Sequence, residues 1–356
     1  MKVLQLIDSL NPGGSERMAV NYANLLHKNK VQSHICATRE GGLLKGDIIT
    51  GVFYVFLNKK STFDLNAFLK LRSYLKEQKI DILHAHSTSY FLATLIKFSL
   101  PSIKLIWHDH YGNSEFLNDR KSRVLKVCSS FFDGIISVNT KLKIWALEKL
   151  SSKNVIEINN FISLTQNKNS EIKILGEPED FKIVCVANLR PQKDHETLLN
   201  AFESLKDKNK MSLHLIGNNP QTIYSKALLK KINNLSENSK IFYYGSQNNV
   251  ENLLKQCDLG ILSSISEGLP LALLEYGAVG LPVVCTKVGQ CEEVIGKNGK
   301  LVLPNDSKTL AEEILYYYKN PDRKKINKDV VGLVKKTYTR KTKTTKQCRK
   351  EFYASQ

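Results

Sequence analysis

No Cys-x-x-Cys pair occurs among the seven cysteines of this 356-residue chain. Several sit in apolar, strand-like runs, as Cys185 does in KIVCVA and Cys285 in LPVVC. That is how small buried hydrophobes look in a reducing compartment, and it argues against a disulfide framework. Long apolar runs are missing as well. The opening MKVLQLIDSL carries only about six apolar-rich residues before Asp8, too few for a signal sequence. The longest apolar stretch, 268–286, contains Glu275, two prolines and three glycines, which excludes a membrane span. The chain reads as cytoplasmic, at most peripheral at the inner face of the plasma membrane.

Acids are scarce: 34 Asp and Glu stand against 52 Lys and Arg, a net charge of +18. The excess is uneven. From Arg323 to Gln356, twelve Lys/Arg face only Asp329 and Glu351. A basic surface attracts anionic lipid, nucleic acid or phosphorylated substrates alike, and a solvated lysine-rich helix is the bland alternative. The basic tail lacks the interleaved aromatics of a single-strand binder, and no zinc-finger spacing occurs. An anionic membrane surface therefore suits the tail better than nucleic acid does.

At this length two domains are expected, and a hydrophobic content of 42% supports packed cores. In the first half, strand-like KVLQLI, VQSHICAT, VFYVFL, DILHAH, IKLIWHDH and GIISV alternate with helical patterns. One of these places Met18, Tyr22, Leu25 and Leu26 on one face; another, over 64–79, does so with Leu65, Phe68, Leu71 and Leu75. The stretch from Leu164 to Asp180 turns polar, and the alternation then restarts with FKIVCVA, MSLHLIG, KIFYYG, LGILSS and LPVVCT. Such alternation predicts an α/β protein of two doubly wound, Rossmann-like parallel-sheet domains, with ligands at the carboxyl ends of the strands. The expected boundaries are residues 1–165 and 181–325, a linker over 166–180, and terminal helices over 326–356.

Four constellations carry chemistry. In SISEGLPLALLEYGAVGLPVVCT, Glu267 stands in a turn after an apolar run, Pro270 at a helix start and Glu275 in its second turn. Two acids thus flank the positive end of a short helix. In VANLRPQKDHETLL, Arg190 and Lys193 lie three apart in a strand-to-helix turn, where both can point at a phosphate. Cations so placed can do the charge work of a divalent ion, so no metal or other cofactor is expected. In NPGGSER, Gly13 and Gly14 permit close backbone approach and Ser15 can cap the helix. The loop is not G-x-G-x-x-G. In DILHAHS and IWHDHYG, His84 with His86 and His108 with His110 project in pairs from strands. Without a thiolate partner or H-E-x-x-H, strand-end residues are the simpler reading of His84 and His86 than a metal site.

The E-x7-E segment, with Ser264, Gly268, Pro270, Gly280, Pro282 and Val283 also in place, resembles that of the retaining nucleotide-sugar glycosyltransferases of family 4, which have the GT-B fold. The resemblance covers nearly the whole chain. It implies that Glu267 contacts the donor sugar and Glu275 the ribose, with Gly268, Leu269 and Pro270 offering backbone to sugar and phosphates. It implies that Lys193 and Arg190 neutralise the diphosphate, although Asn188 occupies the place where the family often has arginine. Gly13 and Gly14 correspond to the family's glycine loop. The family's histidine near the donor sugar falls on His110, with His108 next. Asn160, near the hinge, Gly217 and Gly245, the last under the nucleotide base, are further matches. In the family the final helix crosses back to the N-terminal domain, and YTRKTKTTKQCRKEFYAS resembles it.

These matches imply transfer, with retention and without a metal, from a nucleotide-sugar donor, most naturally a UDP-sugar, to a lipid-linked or polysaccharide acceptor of a bacterial surface glycan. Rival readings stay open. A nucleotide-sugar 2-epimerase would share the fold but need no acceptor, and a basic nucleic-acid or membrane binder would lack catalysis.

Overall fold

A computed structural model describes residues 1–162, 173–205, 210–237, 239–248, 250–297 and 299–320. The terminal helices expected over 326–356, with their basic tail, and residues 166–172 of the expected linker lie outside these. The chain divides into two compact units, the first running from Met1 to Phe161 and the second beginning at Ile162.

The first unit holds β1 (Lys2–Ser9), α1 (Gly14–Lys28), β2 (Gln32–Glu40), β3 (Phe53–Phe56), α2 (Leu65–Glu77), β4 (Ile82–His86) and α3 (Tyr90–Ser99). β5 (Lys104–Asp109), α4 (Arg123–Cys128), β6 (Gly134–Ser137), α5 (Thr140–Lys149) and β7 (Val155–Glu157) complete it. The sheet order is β3-β2-β1-β4-β5-β6-β7, and all pairings are parallel. The strand period of two sorts the side chains. Leu4, Leu6, Leu83, Ala85, Leu105 and Trp107 join the core beneath α2, α3 and α5. Their neighbours in sequence, Gln5, His84, His86 and His108, are equally buried on the other face. The helical face expected for 64–79 shifts by part of a turn. Ala67, Leu71 and Leu75 are buried, but Leu65, the first helical residue, is 68% exposed because the core does not extend under that turn.

The second unit holds β8 (Phe181–Val186), α6 (His195–Glu203), β9 (Met211–Ile216), α7 (Ile223–Ser236), β10 (Ile241–Tyr243) and α8 (Val250–Leu254). It continues with β11 (Leu259–Leu262), α9 (Leu271–Val279), β12 (Val283–Thr286), α10 (Cys291–Ile295), β13 (Gly299–Val302) and α11 (Ser307–Lys319). Its order, β10-β9-β8-β11-β12-β13, repeats the winding of the first sheet, again wholly parallel. Residues 173–180 pack on this unit: Ile174 joins its core and the Leu175 N–H donates to Tyr244 Oη at 2.9 Å. The short edge strands β7 and β13 were not anticipated from the sequence, because VIE and GKLV are too brief to show a period.

Both sheets reverse winding direction beside their first strand, between β1 and β4 and between β8 and β11. Loops leaving the carboxyl ends of those strands diverge there and leave room for a ligand. Several helices are closed by a side chain: Asp64, Asn139, Asp194, Thr222 and Asp306 accept from first-turn N–H groups of α2, α5, α6, α7 and α11. α1 and α9, which follow Gly13 and Pro270, have no side-chain cap.

Candidate functional site

In the second unit, the loops after β8 and β11 are fastened together at the winding reversal. The Ile265 N–H donates to the Gln192 carbonyl at 2.9 Å, and Ser263 Oγ donates to the Lys193 carbonyl at 3.1 Å. Lys193 closes a single tight turn, Pro191–Lys193, before Asp194, whose left-handed backbone (φ +44°) swings the chain into α6. The Lys193 side chain, 23% exposed, reaches Glu267, placing Nζ 2.5 Å from Oε1. Ser264 Oγ donates to the same carboxylate oxygen at 2.6 Å. Glu267 is only 3% exposed, so a buried acid is held by a cation and a hydroxyl. Pro270 and the start of α9 follow three residues later, so cation, acid and helix tip occupy one side of this unit.

The turn bearing Glu267 rests on a residue that sequence reasoning missed. Gly289 has φ +50°, and a Cβ there would lie 2.4 Å from the Glu267 carbonyl oxygen and 2.6 Å from that of Gly268. The next residue, Gln290, donates its N–H to the Gly268 carbonyl at 3.0 Å. Only glycine combines that backbone with that proximity. The available signal was the lone glycine in KVGQCEE, between strand and helix. α9 is anchored through Tyr276, also unforeseen: its buried hydroxyl accepts from the Val186 N–H at 2.8 Å and donates to the Ile261 carbonyl at 3.2 Å. It thus ties the helix to both strands flanking the reversal. Leu269 and Pro270 are buried, and Glu275 is half-buried in the second turn.

Asn188 and Gly217 meet in the same region. Asn188 Oδ1 accepts from the Asn218 N–H at 2.8 Å. A Cβ on Gly217 would stand 2.0 Å from the Ala187 carbonyl oxygen, so β8 and β9 leave no space there for a side chain. The Gly217 N–H donates to the Gly245 carbonyl at 2.9 Å, joining the ends of β9 and β10. Arg190 is exposed. The arrangement brings a cation, a buried carboxylate and an uncapped helix N-terminus together, a set suited to an anionic ligand that also carries hydroxyls.

In the first unit, Gly13 takes the cap position of α1 and Gly14 opens the helix. Ser15 does not cap it: being already inside the first turn, its hydroxyl donates to Glu16 Oε2 at 2.9 Å. The four histidines form one group. His86 Nδ1 is 3.0 Å from His110 Nε2, and His86 Nε2 is 2.7 Å from Gln5 Oε1. His84, His86 and His108 are fully buried, whereas His110 is half-buried beyond the end of β5. His84 and His86 are therefore core side chains and not residues lining a surface. Removal from water depresses His84 and His110 to about 3 and holds His86 and His108 well below the usual imidazole range. The turn carrying His110 is clamped by Arg120, which pairs with both oxygens of Asp109 at 2.7 and 2.8 Å and lies over the rings of Trp145 and Tyr111. Sequence reasoning missed this clamp, since nothing in the sequence pairs two charges eleven residues apart in a loop. Asn160 is buried near the end of the unit.

Comparison with known proteins bears on the family and the fold. Residues 12–166 match the model of Glycosyltransferase Family 4, and residues 167–330 that of Glycosyl transferases group 1. The O-antigen biosynthesis glycosyltransferase WbnH of Escherichia coli is 28% identical over 295 residues, 82% of each chain. The capsular polysaccharide biosynthesis glycosyltransferase CapH of Staphylococcus aureus is 26% identical over 305 residues, 83% of each. Among solved structures, Anabaena Alr3699/HepE in complex with UDP and glucose aligns over 100% of both chains with a TM-score of 0.78 at 18% identity. Among the described residues, no helix is long and apolar enough to cross a membrane.

Proposed function

The chain belongs to the group 1, family 4 glycosyltransferases of GT-B fold, and from that premise we propose that it moves a sugar from a UDP-sugar to a lipid-linked or growing polysaccharide acceptor of a bacterial surface glycan, with retention and without a metal ion. The observation that carries this reading is the Lys193–Glu267 pair beside the uncapped start of α9. The diphosphate takes Lys193 and the helix N-terminus, with the exposed Arg190 as a second cation. Glu267, released from part of its ion pair, receives the donor sugar, and Glu275, one turn further along α9, takes the ribose hydroxyls.

Gly268, Leu269 and Pro270 present backbone to the sugar and phosphates, and Gly13 and Gly14 in the first unit leave their own backbone open to a ligand at the start of α1. Of the first unit's grouped histidines, His110 is the one open to a ligand, because His108 is fully enclosed. Glu267 is already bound by Lys193 and Ser264, which suits an electrostatic and positioning role better than covalent attack. The acceptor then attacks from the face the phosphate leaves, and the departing phosphate helps take its proton. The relatives' place in O-antigen and capsule biosynthesis supports an acceptor of that class at the membrane, to which the basic tail would attract the protein.

A thermal-shift screen across UDP-, GDP-, ADP- and dTDP-sugars tests the donor, since a bound ligand stabilises the fold by mass action. A UDP-sugar should raise the midpoint most, and Glu275→Ala should abolish that rise. No shift with any donor, or donor conversion without an acceptor, would defeat the reading. NMR of the product decides stereochemistry, an inverted anomer refuting retention.

A further inference from the structure

The buried polar side chains on the α1 face of the first sheet point to something other than sugar transfer. His84 and His86 are two apart on β4 and share a face. His108 stands abreast of His86 on β5, to which it is paired in register. All three are 0% exposed. The ring centroids are 4.4 Å apart for His84 and His86, and 5.3 Å for each of these with His108. One ligand atom from each lies within 4.8 Å of the others. Tyr22 of α1 covers the group, edge-on to His84 at 5.3 Å and to His108 at 5.4 Å.

Among the described residues, neither nitrogen of the buried His108 has a hydrogen-bond partner, and Gln5 Nε2 beside the group has none either. A sealed apolar core would be better filled there by leucine, because an unpaired buried polar atom costs free energy that a methyl group does not. A ligand that takes imidazole lone pairs removes that cost.

We propose that His84, His86 and His108 form a three-imidazole site for a divalent transition metal, with zinc as its natural occupant. Three neutral nitrogen donors suit zinc, copper or nickel, whereas Mg²⁺ and Ca²⁺ require oxygen ligands. Zinc imposes no d-electron geometry and is held elsewhere by three histidines with a fourth position open. Bonds of about 2.0–2.1 Å place tetrahedral ligand atoms roughly 3.4 Å apart, so the rings close by about 1 Å each on binding. His86 already has both nitrogens engaged, with Gln5 and with His110, so ligation exchanges one of those hydrogen bonds for the metal. His110, half-buried at the end of the group, is the route by which solvent and metal reach it.

The site is tested on the full chain without reference to transfer activity, so its failure leaves the glycosyltransferase reading untouched. The chain is loaded with Zn²⁺, dialysed against metal-free buffer and measured for metal content, and zinc-edge X-ray absorption is recorded on the loaded protein. One zinc per chain in a shell with three imidazole nitrogens is the expected result. His108→Phe should lower the content at least tenfold, while His27→Gln, remote from the group, should leave it unchanged. Less than one-tenth zinc per chain overturns the proposal, as does an oxygen-rich shell or one with fewer than three imidazoles. Those wild-type readings decide the matter even if His108→Phe fails to fold.

Discussion

Removing the charge of Lys193 should cost this protein stability as well as activity, and the two losses separate. The Lys193 ammonium stands 2.5 Å from a carboxylate that is 3% exposed, with Ser264 as a further donor to the same oxygen. At an effective dielectric constant of about 20, a pair this close attracts by on the order of 5 kcal/mol before desolvation and side-chain ordering are subtracted. Because Lys193 keeps 23% of its side chain in water, screening leaves a net coupling of about 1–3 kcal/mol. The test is a double-mutant cycle of Lys193→Met, Glu267→Gln and the double variant, read by urea unfolding without ligand. Lys193→Met should be the most destabilising, since it strands a buried carboxylate. Adding Glu267→Gln to it should restore part of the loss. For binding, UDP should hold Glu267→Gln at least as tightly as the parent, because Lys193 no longer has to leave an acid, while sugar transfer falls by a factor of about 100 or more. Additive stabilities within about 0.3 kcal/mol would refute the coupling. Weaker UDP binding by Glu267→Gln would refute the idea that donor phosphate and Glu267 share Lys193.

Two more outcomes follow from the same geometry. Gly289→Ala places a Cβ against two backbone carbonyls at a left-handed φ, so it should destabilise the second unit by about 2–4 kcal/mol and reduce donor binding; an unchanged unfolding midpoint would show that the turn does not rest on that glycine. Acid should also unfold the protein readily. His84 and His110 are depressed to about 3 and His195 to about 4, all from an ordinary value of 6.5, chiefly by burial. The unfolded chain therefore binds more protons than the native one below pH 6.5. The stability gained from keeping these rings neutral is complete above that value and is lost as pH falls towards 4 and then 3. Each contributes a slope of about 1.4 kcal/mol per pH unit within its window. The thermal midpoint should drop steeply from pH 6.5 down to pH 4, and a flat profile there would contradict the burial of these histidines as neutral groups.

Local pattern was enough to show where the sheets and the chemistry-bearing loops lie. Alternating apolar runs such as KVLQLI and FKIVCVA became central strands, and SEGLPLALLEYGAVG became a turn and helix starting after Pro270 and ending at Gly280, because proline and glycine act through their own backbone. Spacing alone could place Glu267 and Lys193 at the mouths of strands, since residues near the carboxyl ends of parallel strands gather wherever the winding reverses. What joins them was beyond it. Seventy-four residues separate Lys193 from Glu267, and only the pairing of β8 with β11 brings the two loops together. The seat that Gly289 provides for the acidic turn, the bond of Tyr276 to two strands and the clamp of Arg120 on Asp109 likewise depend on close packing between segments far apart in the chain or folded back on themselves. The histidines show the division most plainly. H-x-H on a strand predicts a shared face, but whether that face meets water or lies under a helix is decided by α1, which covers it and leaves His110 alone at the rim. Short-range dihedral preference and periodicity are written residue by residue, whereas burial and partnership arise only when the layers close.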